Sequence, residues 1–128
     1  MIWGYLRKTL MPSVNAGQVS WLLHRLTGIA LALYLIPHFS SINTSRQGPE
    51  AFDATLATFT SPLLKAAEFL LILVVAFHAF NGLRIIAIDF FTLSHRQKVL
   101  FWLVMIGFGI VLCAASFLFI PKILAPVT

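Results

Sequence analysis

FHAFNGLRIIAID, residues 77–89, places a histidine, an arginine and an aspartate inside one of the most apolar parts of the chain. The run to which it belongs extends from Leu63 to Phe91, and its only other charged residues are Lys65 and Glu68. A helix crossing a hydrocarbon core about 30 Å thick takes roughly 20 residues at ~1.5 Å each. This run meets that requirement, so the polar groups must be held at membrane depth. Two further apolar stretches, Trp21–Phe39 and Val99–Ile120, suit the same role, and the last holds no charged residue at all.

The composition agrees with this reading. The chain has 128 residues, of which 59% are hydrophobic and only 10% charged, and a soluble domain carries far more charge. The expected fold is therefore all-α, an integral membrane protein of a single domain over residues 1–128, with spans at about 21–39, 63–91 and 99–120. Arg25 interrupts the first apolar run and no small-residue cleavage site follows it, which argues against a signal peptide.

Short cytoplasmic flanks collect Lys and Arg. Arg7, Lys8 and Arg25 precede or open the first span, and Arg84, Arg96 and Lys98 surround the second connection, so both regions are expected on the cytoplasmic side. The first connection, residues 40–61, has only Arg46 against Glu50 and Asp53 and is expected outside, together with the C-terminus. This asymmetry explains the formal net charge of +5 without any nucleic acid. Trp3, Tyr5, Trp21 and Trp102 fall near the expected interfaces, and the N-terminal basic and aromatic segment is expected on the membrane surface or against a partner. Pro49 can open a short helix in the outer connection that carries Phe52, Leu56 and Phe59 at helical spacing.

The sequence contains no nucleophile–base arrangement, zinc-ligand spacing or phosphate loop, which speaks against a self-contained hydrolase or transferase. Cys113 has neither a disulfide partner nor ligand spacing and reads as a small apolar filler. Buried polar groups in lipid need protein neighbours, so a subunit of a larger helical bundle is expected.

Two histidines fall inside spans. His78 lies about 16 Å along its helix from Asp89, and Gly82, Ile85 and Asp89 follow it on one face. Gly82 lets a large flat group or another helix approach the backbone. A haem fits, because its iron takes a neutral imidazole as axial ligand, and so does a histidine hydrogen-bonded within the bundle. His38, beside Pro37, stands about 20 Å along the first span from Arg25 and reads either as a ligand or as a polar residue near a helix end. Counted from Leu26 and from Asp89, the two histidines come out at similar depths, roughly 18 and 16 Å from the cytoplasmic edge. His24 and Arg25 gather with Ser20 at the mouth of the first span, where a cation can hold a carboxylate or a quinone carbonyl, or anchor to lipid phosphate.

Two stretches together, SWLLHRLTG at residues 20–28 and HAFNGLRIIAID at residues 78–89, resemble the His-Arg-x-[ST]-Gly and His-x-x-x-Gly-x-Arg-x-x-x-x-Asp motifs of the cytochrome b556 membrane-anchor subunit of succinate dehydrogenase. The order of the motifs and the three-span layout match as well. The resemblance implies a subunit of succinate:quinone oxidoreductase, not catalytic on its own, in the inner (cytoplasmic) membrane. There a flavoprotein subunit oxidises succinate from the tricarboxylic acid cycle and an iron–sulfur subunit passes electrons to quinone. Further implied are a second hydrophobic anchor subunit and one haem b, or two shared with that subunit. By motif position His78 corresponds to the axial ligand of the haem iron. His24 and Arg25 match residues near the haem propionates and the quinone, and Ser20, Trp21 and Arg25 fall in the quinone region. Ubiquinone-linked members place a serine four residues before the arginine, where this chain has Trp21, which leaves menaquinone open as acceptor. Members with two haems make His38 the expected ligand of a second one. Fumarate reductase, which runs the same chemistry backward, and a haem-free structural anchor remain as alternatives.

Overall fold

The computed structural model describes residues 16–124, and the elements within that range are helical throughout. The N-terminal segment with Trp3, Tyr5, Arg7 and Lys8 lies outside the described residues, as does the C-terminus beyond Leu124. The order is α1 (Ala16–Asn43), a 3-10 turn (Thr44–Gln47), α2 (Pro49–Thr58), α3 (Pro62–Phe91), a second 3-10 turn (Leu93–Arg96) and α4 (Gln97–Leu124). Helices α1, α3 and α4 are each long and apolar enough to cross a membrane. Helices α1 and α4 run past the apolar limits expected at 21–39 and 99–120, while α3 keeps to its expected 63–91 within one residue; each helix continues until a local signal stops it.

Those signals are visible in the chain. Gly48 adopts φ +110°, a conformation that suits a residue without Cβ, and it separates the first 3-10 turn from α2. Pro49 and Pro62 open α2 and α3, where a missing backbone N–H costs nothing. The Ser61 hydroxyl caps α3 by accepting from the Leu64 N–H at 3.3 Å. At the other end Thr92, at φ 53° and ψ 35°, terminates α3 in the left-handed region.

Helix α3 packs against both α1 and α4. On the α4 side the contact is aromatic. Phe77 meets Phe108 edge-on with ring centroids 5.9 Å apart, Phe69 meets Phe119 at 6.1 Å, and Phe80 lies over Gly107, where a Cβ would come within 3.2 Å of its ring. Arg84 extends the same side of α3, with its guanidinium carbon 5.7 Å from the centroid of Phe101.

Little of this chain is buried. Among the described residues the most enclosed are Asn81 at 0% and Ser20 at 3% exposure, ahead of Ala115 and Val104 on α4. The apolar side chains face outward almost everywhere, as lipid or neighbouring helices require. The centre of the α1–α3 contact is thus polar. Ser20 Oγ donates to Asn81 Oδ1 at 2.6 Å, Asn81 Nδ2 donates to the Ser20 carbonyl at 3.4 Å, and Arg84 donates to Ser20 Oγ at 3.1 Å. Asn81→Ala removes both bonds between Asn81 and Ser20, so an interhelical lock is lost in surroundings that offer no water. The expected cost is about 1–3 kcal/mol, read as a lowered thermal unfolding midpoint of the purified protein in detergent.

Candidate functional site

One turn along from the Ser20–Asn81 lock, the two helices present their histidines to each other. His24 and His78 stack, with ring centroids 4.1 Å apart and planes inclined by 8°. Each ring lies over the glycine of the opposite helix. A Cβ at Gly28 would stand 3.1 Å from His78 Cε1, and a Cβ at Gly82 would stand 3.3 Å from His24 Cε1. The arrangement is reciprocal because the helices are antiparallel and each carries a histidine four residues before a glycine, in HRLTG (24–28) and HAFNG (78–82). Four residues is slightly more than one helical turn, so histidine and glycine share a face and each helix supplies both a ring and the gap for its neighbour's ring.

The residue before each glycine is polar in both motifs. Asn81 makes the lock already described. Thr27 Oγ1 lies 3.1 Å from His78 Nδ1, and the His24 carbonyl lies 3.2 Å from the same nitrogen. The Nε2 of His78 makes no hydrogen bond among the described residues. Among the described residues His24 Nδ1 and Arg84 Nε are shielded and have no hydrogen-bond partner. An open groove of about 470 Å³ runs along this surface, lined by His24, His78, Gly82 and Ile85 with Ala79, Leu83 and Ile86. His78, Gly82 and Ile85 do share the face expected from their spacing.

The other sequence candidates are placed less centrally. Arg25 is exposed and its guanidinium carbon sits 4.7 Å from the centre of the Trp21 ring, so these two form one outward unit. Ser20 faces inward to Asn81 and Arg84. Arg84 therefore turns to α1, and Asp89 remains exposed on its own. His38 is elsewhere: its Nδ1 lies 3.3 Å from the Tyr34 hydroxyl, and it lines a cavity of about 270 Å³ with Pro37, Phe52, Phe59 and Glu68. Phe52 and Leu56 of α2 line that cavity with Phe59, which caps the helix instead of lying within it.

The depth comparison made from sequence does not hold. Direct contact puts His78 level with His24, and His38 is fourteen residues further along α1, or about 21 Å. The earlier count took Leu26 and Asp89 as equivalent edges, whereas the antiparallel register is fixed by side-chain contacts that no single helix reveals. Asn81, Thr27 and Gly28 were not singled out as functional residues. The signal available for them was the repetition of His-x-x-[polar]-Gly in two spans.

The family model for the succinate dehydrogenase/fumarate reductase transmembrane subunit matches residues 6–117, which include all of this site. Among individual proteins, the chain is similar to the succinate dehydrogenase 2 membrane subunit SdhC of Mycobacterium tuberculosis, with 34% identity over 70% of this chain and 67% of that protein. It is also similar to the succinate dehydrogenase hydrophobic membrane anchor subunit of Halobacterium salinarum, with 30% identity over 79% of this chain and 78% of that protein. The corresponding anchor subunit of Archaeoglobus fulgidus is 34% identical over 56% of this chain and 61% of its own length. With the match extending over most of its length, the chain belongs to the succinate dehydrogenase/fumarate reductase transmembrane subunit family.

Proposed function

We propose that this chain is the cytochrome b anchor subunit of a succinate dehydrogenase, that it holds haem b through His78 and that it forms part of the site where quinone is reduced. The observation that carries the proposal is the environment of His78. Its Nδ1 is within hydrogen-bonding distance of two protein oxygens, and its Nε2 is unbonded. Histidines that ligate a metal are held in this way by the nitrogen that does not bind it. The lack of any cluster of three or more potential metal-ligating side chains among the described residues suits a cofactor that brings its own macrocycle and needs one imidazole from this chain.

His78 would hold the iron from this chain, together with a residue of the other hydrophobic anchor subunit. When bound, the haem supplies one-electron transfer. This chain's own groups bind and orient. The imidazole of His24 lines the groove with a shielded nitrogen suited to a carboxylate such as a propionate, and Leu83 and Ile86 make the wall beside it apolar. Arg25 and Trp21, exposed together near the same end, are available to a quinone head group or to the iron–sulfur subunit. Ser20 is engaged by Asn81 and Arg84, so the hydroxyl acts on quinone through Arg84 and not by free contact.

Orientation follows from the basic loop at His95, Arg96 and Lys98, exposed at the His24–His78 end. That end faces the cytoplasm and the iron–sulfur and flavoprotein subunits, and the complex lies in the inner (cytoplasmic) membrane with the N-terminus inside and the C-terminus outside. The names of the relatives favour succinate oxidation over fumarate reduction as the direction. A second haem at His38 gains support from the separation of about 21 Å along α1, since two ligands at different depths can serve two macrocycles.

Haem b per purified complex, measured as pyridine haemochrome, tests the proposal. Wild type is expected to contain haem, and His78→Ala to lose one equivalent while the subunits remain assembled. Loss of a further equivalent in His38→Ala establishes the second haem, and unchanged content confines His38 to its contact with Tyr34. Full haem content in His78→Ala refutes the assignment of the ligand.

A further inference from the structure

We propose that Thr27 is a positioning residue for His78: its hydroxyl oxygen selects the Nδ1–H tautomer, turns the Nε2 lone pair outward for coordination and thereby lowers the reduction potential of the haem. The proposal rests on the haem reading above and adds to it a residue on a different helix from the ligand.

A threonine hydroxyl has a single hydrogen to donate. Thr27 Oγ1 lies 2.8 Å from the Leu23 carbonyl and 3.0 Å from the His24 carbonyl, which can only accept, so the hydrogen is directed back along α1. What Oγ1 offers to His78 Nδ1 at 3.1 Å is a lone pair. The second oxygen near that nitrogen is the His24 carbonyl at 3.2 Å, again an acceptor. Both distances suit an N–H donor. Nδ1 therefore carries the proton, and in the neutral ring the lone pair is left on Nε2.

Position is fixed along with the tautomer. The two back-bonds hold the Thr27 rotamer, and Gly28, the next residue, leaves room for the imidazole, since a Cβ there would stand 3.1 Å from His78 Cε1. Thr27 and Gly28 act as a seat for a ring that belongs to α3. An oxygen accepting from Nδ1–H makes Nε2 a stronger electron donor to a metal, and a stronger donor favours ferric over ferrous iron. Loss of that acceptor shifts the balance toward the ferrous form. Because the His24 carbonyl remains as a second acceptor, the shift is expected to exceed any loss of haem.

The test is a redox titration of the haem in the purified complex for wild type, Thr27→Val, Thr27→Ser and His78→Ala, with haem content measured on the same samples. Succinate-driven dye reduction by the soluble subunits serves as the check on assembly. Thr27→Val keeps the shape and removes the hydroxyl. It is expected to keep its haem and to favour the ferrous form by about tenfold more than wild type, which is about 59 mV to the positive side for one electron. Thr27→Ser is expected to titrate as wild type. Loss of haem in assembled Thr27→Val with retention in Thr27→Ser also supports the role of the hydroxyl. An unchanged midpoint in Thr27→Val, or equal haem loss in the valine and serine variants, overturns it while leaving the haem reading intact. Retention of all haem in His78→Ala overturns the haem reading and this proposal together.

Discussion

The contact between α1 and α3 is a face of histidines, glycines and an asparagine in a chain that otherwise turns oil outward, and the placement of every functional group depends on it. Two polar anchors set the register. Ser20, Asn81 and Arg84 are joined by hydrogen bonds across the two helices, and one turn away the imidazoles of His24 and His78 stack over each other's glycines. A shift of α1 against α3 by one residue would separate the hydrogen-bond partners and drive each ring into a side chain. In a bilayer the apolar residues have little preference between helix and lipid, so such specific contacts decide how helices meet.

The contrast between the two faces of α3 explains the division of labour in the molecule. Toward α4 the helix presents Phe69, Phe77 and Phe80, and the pairing is by aromatic packing against Phe119, Phe108 and Gly107. Toward α1 it presents His78, Asn81 and Gly82, and the pairing is by hydrogen bonds and stacked rings. Helix α4 thus supports α3 from behind, and α1 joins it in shaping the site. On that shared side His24 Nδ1 is shielded and has no hydrogen-bond partner among the described residues, and the Arg84 side chain spans from Ser20 on α1 to Phe101 on α4. A chain with so few buried residues fits a role inside a larger assembly, where neighbouring subunits cover what faces lipid here.

Much of this was legible in the sequence. The three spans follow from apolar length, the short α2 from Pro49 and its phenylalanines, and the face shared by His78, Gly82 and Ile85 from helical spacing. Gly82 was expected to let a large flat group or another helix approach the backbone, and in the structure the imidazole of His24 from α1 lies over it. What stayed hidden depends on register between helices. The depth of His38 relative to His78 was misjudged because a span's apolar limits do not say which residues lie opposite one another. Asn81 and Thr27 stood inside the two motifs without an assigned role, and their contacts appear only when Ser20 and His78 are brought against them. Arg84 was counted among the charges of the cytoplasmic flank, whereas its long side chain reaches across to Ser20, a partner from another helix.

The central claim is that Thr27, Gly28 and the His24 carbonyl seat the imidazole of His78 so that Nε2 is the nitrogen given to iron. The most direct test is a cryo-electron microscopy map of the intact complex, detailed enough to define the imidazole planes and the oxygens around them. The account predicts planar macrocycle density with its iron bonded to His78 Nε2, and Thr27 Oγ1 and the His24 carbonyl within hydrogen-bonding distance of Nδ1. Iron bonded to another residue, or a His78 ring turned away from Thr27 and Gly28, would contradict it.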